Sequence, residues 1–304
     1  ASGSFTGLSP NTYDVRIRDA ANTGCVITLN PALVITEPPD LNATVASTNV
    51  TCFGANNGTI TISSPTGGYG TYEYSINGGG TWSGIGSFSN LAPNTYDVRI
   101  RDAAYPGCVV ILNPALVITE PSVLSADVSK TDVTCFGAAD GTITITNPAG
   151  GYGTYEYTVN GGGSWQASGI FTGLGPGNYN VQIRDAAYAS CVIVLNNALT
   201  ITQPAVLNAV VTPTMVTCNG ANDGIITISS PTGGYGTYEY SVNGGTSWHS
   251  SGTFSGLAPG SYDVRIRDAV NTACVIILNP ALSITEPAVL NANVASTNVT
   301  CNGS

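Results

Sequence analysis

Basic residues are nearly missing from this chain: eight Lys plus Arg stand against 18 Asp plus Glu, and Lys130 is the only lysine. A cationic stripe able to neutralise phosphates is absent, which excludes nucleic acid as a partner class. Histidine is as scarce. His249 is the only one, so no Ser-His-Asp or Cys-His set can be assembled. No carboxylate sits in a visibly apolar stretch that would raise its pKa for acid–base work. The sequence therefore reads as non-enzymatic, with no catalytic residue and no cofactor to name. No apolar run approaches the roughly 18 residues that span a bilayer, and no leader sequence is seen; both are expected to lie outside this stretch. Charged residues make up only 9% of the chain while Gly, Ser, Thr and Asn abound, the surface chemistry of an exported β-protein.

What the chain has is repetition. Its eight cysteines fall into two series, Cys25, Cys108, Cys191, Cys274 and Cys52, Cys135, Cys218, Cys301, each keeping one constant 83-residue step without an insertion or deletion. Trp82, Trp165 and Trp248 keep that step, as do Phe5, Phe88, Phe171 and Phe254. A fixed period overrides the usual length-based estimate of domain number. Proline-marked junctions at Glu37-Pro38, Glu120-Pro121, Gln203-Pro204 and Glu286-Pro287 place the boundaries. The expected domains are a partial copy over 1–38, complete copies over 39–121, 122–204 and 205–287, and the start of another over 288–304. The chain is expected to be a window from a longer array. The junctions carry no Gly/Ser-rich spacer, so neighbouring copies are expected to abut as an extended rod.

Within residues 39–121 the hydrophobic period is two throughout. Leu41 to Cys52 reads as a first strand, in one piece or split; Thr59-Ile60-Thr61-Ile62 alternates as a half-buried strand; Tyr72-Glu73-Tyr74-Ser75-Ile76 turns its tyrosines and isoleucine to one face. Tyr96-Asp97-Val98-Arg99-Ile100-Arg101 separates cleanly into apolar and charged faces. A Leu-x-Pro turn leading into a tyrosine at the head of this strand resembles the tyrosine corner of Greek-key sandwiches, at Tyr13, Tyr96, Tyr179 and Tyr262. Pro114 confines the last strand, Cys108 to Thr119, to an edge or a bulge. About seven short strands per copy give an all-β fold: tandem immunoglobulin-like Greek-key β-sandwich domains, one to each 83-residue copy.

Two cysteines per copy without a Cys-x-x-Cys spacing suit disulfides in an oxidising compartment better than a metal cluster. Two pairings use neighbouring cysteines. Cys25 with Cys52 is the closer pair in sequence, but it spans a junction and would require two extended strands to fold back on themselves. Cys52 with Cys108 closes a longer loop within one copy. The expected bridges are therefore Cys52 with Cys108, Cys135 with Cys191 and Cys218 with Cys274, leaving Cys25 and Cys301 unpaired; each would be worth roughly 4 kcal/mol in a chain-entropy estimate.

Ser241-Val242-Asn243-Gly244-Gly245-Thr246-Ser247-Trp248 looks like the Asp-box of sialidase-type repeats with Asn in the Asp position, as do Ser75 to Trp82 and Thr158 to Trp165. That box is a hairpin brace. Its Trp82, Trp165 and Trp248 are at the same time the candidate ligand-facing aromatics, because an aromatic face can stack on a sugar ring. Asp102, Asp185 and Asp268 stand before the last strand, and Glu120 is expected near the corresponding loop of the next copy, so Ca²⁺ at a junction is a candidate. Against it, Gln203 replaces the acid in one copy, and carboxylates beside Arg101 are more simply ion-paired. Arg99 and Arg101 should pair across strands with Glu73; in one copy Asn180 and Gln182 replace Asp97 and Arg99 together, preserving neutrality.

Val216-Thr-Cys-Asn-Gly-Ala-Asn-Asp-Gly224, Gly233-Gly-Tyr-Gly-Thr-Tyr-Glu-Tyr-Ser241, Leu257-Ala-Pro-Gly-Ser-Tyr262 and Arg267-Asp268 before Cys274 resemble the SprB repeat of giant Bacteroidota cell-surface adhesins. Departures are small: Phe53 and Phe136 stand where Asn219 and Asn302 stand. The resemblance implies the stalk of a surface adhesin or extracellular filament, exported by type IX secretion and in some members propelled in gliding motility. Its partners would be neighbouring repeats of the same chain and other copies in a filament. The second reading is a carbohydrate-binding module that engages surface polysaccharide by avidity across copies.

Overall fold

The computed structural model describes residues 3–299; Cys301 lies outside them. No helix occurs among the described residues. The first complete copy runs β3 (Asn42–Thr48), β4 (Gly58–Thr66), β5 (Tyr72–Ser75), β6 (Ser87–Leu91), β7 (Asn94–Asp102) and β8 (Val109–Ile118). These form two antiparallel three-stranded sheets, β3-β4-β6 and β5-β7-β8. Before them, β1 (Asn11–Arg18) and β2 (Val26–Ile35) form a two-stranded sheet equivalent to β7 and β8. The second copy repeats the pattern as β9 (Ser125–Thr131), β10 (Gly141–Ala149), β11 (Tyr155–Thr158), β12 (Ile170–Leu174), β13 (Gly177–Asp185) and β14 (Val192–Ile201). The third does so as β15 (Asn208–Thr214), β16 (Gly224–Thr232), β17 (Tyr238–Ser241), β18 (Thr253–Leu257), β19 (Gly260–Asp268) and β20 (Val275–Ile284).

Each complete copy thus has six strands rather than seven. Between β5 and β6, where a seventh strand would fall, the chain spends its residues on the Gly-rich brace and two isolated bridges, Tyr74 to Ser83 and Asn77 to Asp97. The core is the alternation made solid. Ile60 and Ile62 of one sheet meet Tyr74, Val98 and Ile100 of the other, with Leu41, Val50 and Ile118 closing the ends. Burying each of these aliphatic side chains is worth about 1.5–3 kcal/mol. The third copy repeats the core with Ile226, Ile228, Tyr240, Val264 and Ile266.

The first strand is split. Asn42–Thr48 pairs with β4, after which the chain crosses to the other sheet, where the Val50 N–H donates to Thr119 O at 2.9 Å. β8 is an edge strand, as Pro114 requires. In its register Tyr96 faces Leu116 and Val98 faces Asn113, so Pro114 and Ala115 bulge out of the ladder.

The contacts divide the chain into two compact units. One holds the described residues up to Val123 with Gly150–Tyr152; the other holds Leu124–Ala149 and the described residues from Gly153. In the first, the Tyr152 hydroxyl donates to Val50 O at 3.1 Å. In the second, two successive copies adjoin. There the linker is bonded into the copy that follows it: the Gly234 N–H donates to Ala205 O at 2.9 Å. Gly233 makes this possible with φ +82°, since a Cβ would stand 2.0 Å from Val206 O.

Candidate functional site

Among the described residues the cysteines form no bridge within a copy. Cys135 is bonded to Cys274, 139 residues on, with a Cα–Cα distance of 5.4 Å. The expected pairs Cys135 with Cys191 and Cys218 with Cys274 are overturned by that bond. Cys52 with Cys108 is overturned because Cys108 is free, as are Cys218 and Cys25. Cys52 and Cys191 are in the disulfide form as well.

The reason is topological. Cys52 lies beside the end of β8, where Gly54 meets Glu120, whereas Cys108 lies at its start, beside Asp102. The ten residues of β8 separate them, about 33 Å at strand rise, and a disulfide needs Cα atoms within about 7 Å. The loop after β9 in one copy and the loop before β20 in the next occupy facing ends, so the bond is made between copies. Around it Phe136, Pro204, Leu207, Val275 and Ile276 line a cleft of about 220 Å³.

Glu120 does not reach a neighbouring copy. Its carboxylate accepts the Gly54 N–H within its own copy at 2.6 Å, and Glu286 accepts from Gly220 at 2.7 Å. At the equivalent place the Gln203 amide oxygen accepts from Gly137 at 2.8 Å. The position requires an acceptor, not a charge, and so tolerates glutamine.

Asp102 is fully buried and not ion-paired. Its oxygens accept three backbone N–H groups, from Tyr69 at 2.6 Å, Ala104 at 2.8 Å and Tyr105 at 3.2 Å. The Tyr69 bond foremost holds the carboxyl below the usual range against the cost of burial. For Asp268 burial is the largest influence and pushes the pKa up, but N–H donation from Tyr235, Asn271 and Val270 together outweighs it. Backbone donors converge where a calcium ion would need oxygen ligands, and no metal-holding cluster occurs among the described residues.

Arg101 pairs with Glu73 across strands, Nε to Oε2 at 2.7 Å, and its guanidinium lies 4.4 Å from the Trp82 ring centroid. Arg184 over Trp165 and Arg267 over Trp248 repeat the arrangement at 4.4 and 4.5 Å. Arg99 pairs instead with Asp97 on its own strand, at 2.6 Å. Where Asn180 and Gln182 replace that pair, the Gln182 amide donates to Asn180 at 3.1 Å, so the joint substitution keeps a contact.

The box before each tryptophan is a set of hydrogen bonds. Asn77 Oδ1 accepts from Ser75 Oγ at 2.8 Å and from the Thr81 N–H at 2.9 Å, while Ser75 Oγ accepts from the Gly79 N–H at 2.9 Å. Tyr96 donates its hydroxyl to Ala92 O at 2.8 Å, and Tyr13, Tyr179 and Tyr262 do the same to Ser9, Gly175 and Ala258 at 2.7, 2.8 and 2.8 Å. The imidazole of His249 stacks edge-on to Phe254 at 5.5 Å.

Fold and braces define a class: tandem six-stranded β-sandwich repeats whose polar side chains stabilise turns and whose cysteines bond one copy to another. The SprB repeat model matches at three places, residues 44–81, 128–164 and 210–247, one in each complete copy. This family is a structural repeat of cell-surface proteins rather than a known enzyme family, and disulfides fit an extracellular protein. No curated protein matches the chain. Among solved structures it is similar to three N-terminal domains of the bacteriophage RB49 Highly Immunogenic Outer Capsid protein (Hoc). The identity is 10% and the TM-score 0.32 over 83% of this chain and all of that one, a likeness too slight to argue from.

Proposed function

We propose that this chain is part of the stalk of a large bacterial cell-surface adhesin or extracellular filament, a non-catalytic element that supplies length. The observation that supports it is the Cys135–Cys274 bond, which joins one copy to the next. A binding module needs each domain to hold its own site; a stalk needs consecutive domains to hold each other. The polar groups support the same reading, because Asp102, Glu120 and Asn77 are spent on backbone N–H groups of their own copy. Arg101 occupies one of the two faces of Trp82 that a sugar could stack on, which disfavours the polysaccharide reading. The surface location, type IX export and gliding are part of this proposal, and the family resemblance is what suggests them.

The test is made on cells that display the full-length protein. Removing whole 83-residue copies should bring a terminal epitope closer to the cell, as seen by immunogold microscopy, by an amount proportional to the copies removed and without loss of export. An unchanged epitope distance would overturn the stalk reading, and glycan-array binding by the isolated copies would replace it with the second one.

A further inference from the structure

The bond between copies has a mechanical meaning. A force applied along the chain enters the second copy at its first strand and reaches Cys135 within a few residues of β9. From there the shortest covalent route to the end of the third copy does not follow the 139-residue separation along the chain; it crosses the sulfur–sulfur bond to Cys274, immediately before β20. Strands β10 to β19 all lie inside the closed loop. When the load is carried by the Cys135–Cys274 bond, they can unfold without lengthening the molecule.

We propose that the Cys135–Cys274 bond is a force bypass that makes these copies inextensible, an inference that rests on the stalk reading for its biological use. The loop is longer than the 83-residue step, so the bypasses of successive copies overlap. Cys218 stands in the third copy where Cys135 stands in the second, exposed and free, and would be the outgoing half of the next such bond in a longer array. In an array that continues the pattern, the shortest covalent route runs from one bypass to the next but one through the short segment from Cys274 to the following cysteine. Fully drawn out that segment spans about 95 Å per two copies, while two folded copies of roughly 40 Å each, judged from strand length and loops, already span about 80 Å. Losing every fold would then barely extend the tether. The sandwiches are protected from force by covalent connectivity rather than by their modest stability, which for domains of this size is a few kcal/mol.

The experiment holds the full chain by its two ends in an optical trap. The oxidised chain should reach a contour at least about 450 Å shorter than the same chain after reduction, because the bond withholds 139 residues at roughly 3.3–3.6 Å each. Reduction by a water-soluble phosphine is balanced: one phosphine and one water give two thiols and the phosphine oxide. The C135S/C274S variant should extend further than the oxidised parent without any reductant, while C218S, which removes a free thiol, should match the parent. Circular dichroism of C135S/C274S checks that its strands still form. Peptide mapping of the non-reduced chain should give the Cys135–Cys274 pair. An oxidised contour equal to the reduced one, a C135S/C274S contour equal to the oxidised parent's, or a Cys135–Cys191 pair in the map would overturn the bypass. These readouts are made on the isolated chain, so failure of the cell-surface test leaves them unaffected, and the converse.

Discussion

The carboxylate of Glu120 and the backbone N–H of Gly54 meet at 2.6 Å across 66 residues, tying the exit of a copy to the loop that follows its first strand. Because Gln203 makes the equivalent bond, Glu120→Gln should leave the urea midpoint within error, whereas Glu120→Ala should cost about 1–2 kcal/mol by orphaning the N–H. Calcium should shift neither melting curve. A calcium-dependent rise that Glu120→Gln abolished would show that the charge matters after all.

Gly233 and Gly236 share one loop and a left-handed backbone, φ +82° and +88°, but differ in surroundings. A Cβ on Gly233 would collide with Val206 O at 2.0 Å, while nothing lies within 4 Å of one on Gly236. Gly233→Ala should cost roughly 2–4 kcal/mol and Gly236→Ala about 1, the backbone strain alone. Equal losses in denaturant titrations would mean that the linker is not packed as described.

The Arg101–Trp82 stack should appear as coupling. In a double-mutant cycle of Arg101→Ala and Trp82→Ala the interaction energy should be about 0.5–1 kcal/mol. Additive losses would leave the guanidinium merely adjacent to the ring.

Stability should be flat from neutral pH to about 4.5 and fall below that. The folded pKa of Asp102 is depressed below its unfolded value of about 3.9. Its contribution is therefore fully present above the unfolded value and lost as pH falls through the folded one. Asp268 and the Arg-paired Asp97 act in the same direction. Asp102→Asn should be less stable than the parent at neutral pH, with the gap in urea midpoints narrowing as the pH falls below the unfolded value of about 3.9. A constant gap would mean that the carboxylate charge has no part in holding the three N–H groups.

Much of the architecture was legible because it rests on local chemistry. Strict alternation in Thr59–Ile62 and Tyr96–Arg101 fixes which side chains enter the core, since successive strand residues face opposite sides. Pro114 could be read as an edge residue because it lacks an N–H. The charge exchange at Asn180 and Gln182 was visible as a paired change. Less legible was what each acid bonds. Asp102 next to Arg101 reads as half of an ion pair, yet its neighbours in space are N–H groups of Tyr69, Ala104 and Tyr105, which no side-chain pattern announces. The absence of a seventh strand has a similar cause: in the Gly-rich box Ser75 and Asn77 side chains take the N–H groups of Gly79 and Thr81 that a strand would offer to a ladder.

The sequence by itself determined the 83-residue period, the strand faces, the turn residues and the presence of two cysteines in each copy, all of which follow from steric and hydrogen-bonding preferences of nearby residues. Only the tertiary structure decided which cysteines meet. Chain order places Cys135 closer to Cys191 than to Cys274, but a β-sandwich sends its loops to opposite ends, and the length of one copy exceeds the reach of a disulfide. The partner within reach belongs to the next copy, so proximity was settled by how two folded domains adjoin rather than by separation along the chain.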